Sequence, residues 1–185
     1  MLIVFGGLPG TGKTTIAREI ARRRRAVYLR IDSIEQAIRS AGLSIEEIGA
    51  MGYDVAYVLA EANLKLGQVV VADSVNPIEL SRGAWRAVAT AASVSIAEIE
   101  VVCSDAREHR RRVESRSHDV RGLIPPTWDD VVRRHYEPWS SPRIVVDTAT
   151  LSVREAVKSL DLEIDAFFVR ARATPRTEAR RDQPG

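Results

Sequence analysis

Residues Gly7-Leu8-Pro9-Gly10-Thr11-Gly12-Lys13-Thr14 satisfy the spacing G-x-x-x-x-G-K-[ST], directly after the apolar run Leu2 to Phe5 and at the opening of a stretch with helical period. A strand before and a helix after are the context in which this spacing forms a phosphate-binding loop. Glycines reach backbone angles that other residues resist, so successive N–H groups turn inward towards phosphate oxygens at the positive end of the helix. Lys13 supplies a cation for the β and γ phosphates of a nucleotide, and the Thr14 hydroxyl can ligate Mg2+. An ordinary glycine-rich turn explains the glycines but not Lys13 followed by Thr14. The expected nucleotide-binding residues are Gly7, Leu8, Pro9, Gly10, Thr11, Gly12, Lys13, Thr14 and the adjoining Thr15. Lys13 is expected to point into a solvent-filled loop rather than into a core.

Outward from the loop, five short apolar runs read as buried strands: Leu2 to Phe5, Val27 to Ile31, Val69 to Ala72, Ile96 to Val102 and Ile144 to Val146. Several are nearly continuous in Val and Ile, as in parallel strands covered on both faces. Between them lie segments of helical spacing: Gly12 to Arg24, Ser33 to Ala41, Tyr53 to Leu66, Glu79 to Ala92, Ala106 to Arg116 and Trp128 to Tyr136, with a last one over Val153 to Phe168. Strands alternating with helices predict an α/β domain over 1–168, a five-stranded parallel sheet with helices on both faces, in the P-loop NTPase class. Loops after the strands then share one edge, where ligands bind in such sheets.

The remaining composition narrows the function classes. With 185 residues, 45% apolar and 28% charged, the chain suits one soluble domain. Residues 169–185, with Pro175, Pro184 and Gly185 and no apolar period, read as a disordered tail. No apolar run reaches membrane-spanning length, and no basic leader precedes the first strand. Cys103 is the only cysteine, so an intramolecular disulfide and a cysteine metal cage are excluded, and a reducing cytoplasm fits best. The formal charge of +2 and the 5% aromatic content are weak for a nucleic-acid binder. The Arg22 to Arg25 run reads as cations at a helix end, offsetting the negative pole of its dipole. Oligomeric state leaves no sequence signal.

A phosphate loop alone does not separate switches, motors and kinases. The D-x-x-G of a GTPase does not follow the third strand, no N-K-x-D occurs, and the third strand ends Ala72-Asp73-Ser74 with no glutamate to polarise water. Small kinases that use ATP and Mg2+ remain. Such an enzyme needs a carboxylate to take the proton of the acceptor hydroxyl. Asp32 ends the second strand beside the phosphate loop and is the candidate base, although aspartate there is also a favoured helix N-cap. Asp73, after the third strand, is a candidate with Thr14 for the Mg2+ site. Asn76 reads equally as acceptor contact and as turn chemistry. Arg112 and Arg116, four apart on one helical face, suit the charge of a transferring phosphoryl group, or else form a solvated face balanced by Glu108 and Glu114. His118 and Gly122 follow them in a segment that reads as a lid.

The phosphate loop, the Asp32 strand end and the Arg112 to Arg116 spacing resemble the small P-loop kinases that include chloramphenicol phosphotransferase, zeta toxins, gluconate kinase and the polynucleotide kinase domain. The stretches Asp73 to Pro77 and Pro126 to Trp139 are similar to bacterial proteins labelled AAA-family ATPases or predicted kinases. The resemblance implies ATP and Mg2+ as ligands, Asp32 as base, lid arginines from Arg112 and Arg116, and a small-molecule hydroxyl as phosphoryl acceptor. Alternatives are a nucleotide-dependent binding module without transfer chemistry and a 5′-hydroxyl kinase of nucleic acids. The second acid of the shikimate kinase D-x-D pattern is missing after Asp32. The aromatic stretch Trp128, His135, Tyr136 and Trp139 either shapes the acceptor pocket or anchors a core.

Overall fold

The structure, a computed structural model, describes residues 1–42, 44, 49–115, 120, 122 and 125–173. In chain order its elements are β1 (Leu2–Gly6), α1 (Lys13–Arg24), β2 (Val27–Arg30), α2 (Ile31–Ser40), α3 (Met51–Lys65), β3 (Val70–Asp73) and α4 (Glu79–Ala91). They continue with β4 (Ile96–Val102), α5 (Ala106–Ser115), α6 (Trp128–Arg133), β5 (Ile144–Asp147) and α7 (Val153–Ala173). The strands form one five-stranded, all-parallel sheet, as the sequence predicts, and their order is β2-β3-β1-β4-β5. The central strand β1 is buried at every residue and sends alternate side chains to opposite faces. Ile3 and Phe5 join a core with Ile16, Ile20, Leu160 and Ile164 of α1 and α7. Leu2 and Val4 join another with Ala56, Ala60 and Trp85 of α3 and α4.

On β4 this alternation carries charge. Ala97, Ile99 and Val101 enter the first core, while Glu98 and Glu100 are buried on the other face. Arg86 of α4 pairs with Glu98 at 3.0 Å, and Arg143 with Glu100 at 2.5 Å. Beside them lies Arg82, fully buried, whose guanidinium donates to the carbonyls of Asn76, Pro77, Glu137 and Pro138. Its Cζ lies over the rings of Trp139 (4.2 Å from the centroid) and Tyr136 (5.3 Å), a cation–π arrangement. Trp139 also lies flush on the end of β1, where a Cβ on Gly6 would come within 2.7 Å of it. Tyr136 and Trp139 are thus core anchors.

Helix ends follow their chemistry. Arg22 and Arg23 bond Glu19, and Arg24 bonds Asp161 of α7, so the arginine run closes the last turn of α1 and ties two helices together. Helix α7 continues to Ala173, five residues past its expected end at Phe168, so residues 169–173 of the expected tail are helical. Residues 174–185 lie outside the described residues, as do Arg116 and His118. Among the described residues no helix is long and apolar enough to cross a membrane.

Candidate active site

The C-terminal ends of β1, β2 and β3 open onto a cavity of about 970 Å3. The phosphate loop forms one wall through Leu8, Pro9, Gly10, Gly12, Lys13, Thr14 and Thr15. Gly7 and Thr11 lie behind the loop and shape it. Gly7 has φ 139°, and a Cβ there would meet the Val101 carbonyl oxygen at 2.2 Å. The Thr11 hydroxyl donates to the Leu8 carbonyl at 2.9 Å. Helix α1 begins after Gly12 with no capping side chain, so its first-turn N–H groups face the loop, a ready anion site.

Two contacts that the sequence does not suggest hold this loop from outside. The buried His109 of α5 donates from Nε2 to the Pro9 carbonyl at 2.8 Å, and its ring meets Trp128 edge-on at 5.2 Å. Trp128 therefore acts on the loop through His109. Thr148, after β5, donates to the Thr11 carbonyl at 2.8 Å. It also receives Arg112, which donates to the Thr148 hydroxyl (2.8 Å) and carbonyl (3.0 Å) and to Glu108 (2.7 Å). Arg112 lines the cavity but is held by these bonds, so bonding a transferring group would require it to exchange them.

Lys13 differs from the expectation of a solvated side chain. It is buried, and its ammonium donates to Asp73 at 3.0 Å. The Tyr28 hydroxyl donates to the other Asp73 oxygen at 2.7 Å. Burial pushes the Asp73 carboxyl up, but the Lys13 charge and the bonds from Tyr28, Lys13 and Thr14 outweigh it and hold the group below the usual range. Asp73 is therefore an ionised carboxylate wedged between Lys13 and Thr14. It reaches the cavity only through those two side chains. Carboxylate and hydroxyl oxygens are the donors that Mg2+ prefers, and the few protein ligands suit an ion held mostly by phosphate and water. Among the described residues no cluster of three His, Cys, Asp or Glu side chains is placed to hold a metal.

The facing wall contains Arg30, Ile31, Asp32, Glu35, Tyr53, Val75, Pro77 and Arg134. Asp32 is the second residue of α2, with Arg30 in the cap position, so its side chain is not an N-cap. Its carboxylate is partly exposed to the cavity and accepts from Arg30 at 3.4 Å. Glu35, one turn on, is pushed up by burial and by the Asp32 charge, against the pull of Arg39 and Arg134. Asn76 is buried with φ 50° and turns its groups inward, to Ser81, Tyr53 and Arg82; it does not line the cavity. Its turn role is the one realised.

This loop and sheet define a P-loop nucleotide-binding protein. More narrowly, the chain belongs to the AAA domain family, whose model matches residues 2–138. It shares its fold with Chaetomium thermophilum Kti12 in complex with ADP-AlF3: 23% identity, 90% of this chain and 98% of that one, TM-score 0.65. It is similar to Mycobacterium tuberculosis APS kinase CysC in complex with AMPPNP and APS: 19% identity, 88% and 96% coverage, TM-score 0.61. A gluconokinase from Sinorhizobium meliloti 1021 matches at 19% identity, 91% and 96% coverage and TM-score 0.59. No curated protein matches the chain in sequence.

Proposed function

We propose that the protein is a kinase that transfers the γ-phosphate of ATP to a hydroxyl of a small molecule. The observation that carries this reading is that Asp32 and the phosphate loop line one and the same cavity. In the reaction the acceptor oxygen bonds to the γ-phosphorus as the bond to the β-phosphate bridge breaks, ADP leaves, and the acceptor proton passes to Asp32. Lys13 exchanges Asp73 for the phosphates. Thr14 and Asp73 are the residues to hold Mg2+, which neutralises phosphate charge when bound. Arg112, with Arg116 as the further candidate on its helix, serves the transferred charge. The neighbours named as kinases of APS and gluconate support a small acceptor, and the single, nearly buried Cys103 suits a reducing cytoplasm.

The test is a screen of pooled hydroxylated metabolites, nucleosides and antibiotics, with a 5′-hydroxyl oligonucleotide in the panel, against γ-labelled ATP. Label is expected on a small molecule, and Asp32→Asn is expected to abolish it. Label on the oligonucleotide alone would make the protein a nucleic-acid end kinase. Tight ATP binding with slow hydrolysis, no labelled acceptor and no effect of Asp32→Asn would replace the kinase reading by that of a nucleotide-dependent binding module.

A further inference from the structure

Helix α3 is apolar on both of its sides. Its inner side, Gly52, Ala56, Ala60 and Leu64, is buried against the sheet. Its outer side, continued by the C-cap Leu66, carries Met51, Val55, Val58, Leu59 and Ala62, all exposed like Leu66, with Val58 at 69% and Leu66 at 77%. A helix apolar all round is normally buried all round. Among the described residues, neighbours do not cover the outer stripe: α2 meets α3 at Gly52 through Glu35, and α4 meets it at Tyr57 through Trp85.

The stripe is symmetric along its length. Its members are separated by four, three, one, three and four residues, so the pattern reads the same from either end about a midpoint between Val58 and Leu59. We propose that this face binds a second copy of the chain, with the two α3 helices antiparallel about a two-fold axis at that midpoint. Met51 then lies against Leu66 of the second copy, Val55 against Ala62, and Val58 against Leu59, over a seam of about 24 Å at the rise of an α-helix. An isologous contact needs a surface complementary to itself, and this spacing is one. Charge agrees with the register. Asp54, Glu61 and Lys65 lie along one edge of the stripe, and Lys65 bonds Glu61 at 2.5 Å. Asp54 is exposed and makes no ion pair among the described residues. The two-fold operation brings like edges together and puts Lys65 of the second copy about two residues, roughly 3 Å along the axis, from Asp54.

Sedimentation of the full chain over a rising concentration series tests the proposal. A reversible monomer–dimer equilibrium is expected, with Val58→Glu raising the dimer Kd at least about tenfold, as loss of a central contact does. At a concentration low enough to keep both chains monomeric its melting temperature should equal the parent value, because Val58 is on the surface. Asp54→Lys should weaken the dimer, and Asp54→Lys with Lys65→Asp should restore it. For orientation, Met51→Cys and Leu66→Cys chains mixed under mild oxidation should cross-link to a heterodimer, whereas neither alone should. A monomer at every concentration, a Val58→Glu dimer as tight as the parent, or cross-linking of each cysteine variant with itself in preference to the mixture would overturn the proposal.

Discussion

Asp73 lies behind the phosphate wall, under Lys13 and Thr14, and Glu35 lines the cavity itself; their surroundings push them in opposite directions. Asp73, all but inaccessible, is nevertheless held below the usual carboxylate range, because Lys13, Tyr28 and Thr14 all point at it. Glu35 is less buried yet is pushed up, because burial and the Asp32 charge outweigh Arg39 and Arg134. The phosphate wall is therefore electrostatically satisfied and fixed by side chains that donate to its backbone carbonyls, as His109 to Pro9 and Thr148 to Thr11 illustrate. The facing wall is made of side chains whose charges compete. A wall of the first kind is preorganised for one ligand, while one of the second kind can be re-specified by a few substitutions.

Four measurements break or sharpen this contrast. The largest effect is expected at Asp32: Asp32→Asn should lower kcat by about 10^2 to 10^4, the worth of a general base, with the ATP Kd unchanged. A parallel loss of ATP binding would show that the walls are not separable. Lys13→Ala should raise the ATP Kd about 10- to 100-fold, the range for a lost charge-assisted bond. It should also lower the melting temperature, since Asp73 is left buried without its main counter-charge. Equal ATP affinity by calorimetry would remove the phosphate assignment. Arg112→Ala should cost less than the roughly 10^3-fold of an arginine devoted to transferred charge, because its bonds to Glu108 and Thr148 compete for the guanidinium. Single-turnover kinetics decide its role: kcat and kcat/KM falling together mark a transition-state contact, a raised KM a ground-state one.

The smallest effect is at Glu35. A carboxyl raised by folding favours the folded state fully below its ordinary value of about 4.3, and loses that contribution as pH rises through the raised one. Glu35→Gln cannot ionise, so it should melt above the parent at neutral pH and match it near pH 4. Equal melting curves across this range would mean that the facing wall is as well satisfied as the phosphate wall.

The same contrast explains what the sequence revealed. Gly7 to Thr14 is legible because its chemistry is local: a contiguous string sets both the backbone path and the ligand groups. The sheet is legible because β1 and β3 are short Val- and Ile-rich runs. Thr148, His109 and Tyr28 are not legible, since each acts on a residue far away in the chain; Thr148 and Thr11 are 137 positions apart. Lys13 reads as solvated because no local pattern announces that Asp73 comes to lie beneath it. Arg82 reads as one more arginine on an amphipathic helix, and only the fold brings four carbonyls and two rings around it.

That arginine has a consequence for isotope labelling. The connection 134–143 between α6 and β5 has no regular secondary structure, which ordinarily means amides that exchange with solvent at once. Here the Glu137 N–H donates to the Pro77 carbonyl at 2.8 Å, beside the carbonyls that Arg82 holds. In deuterium its amide should therefore exchange on the timescale of the buried strands, a slow proton in the middle of a loop.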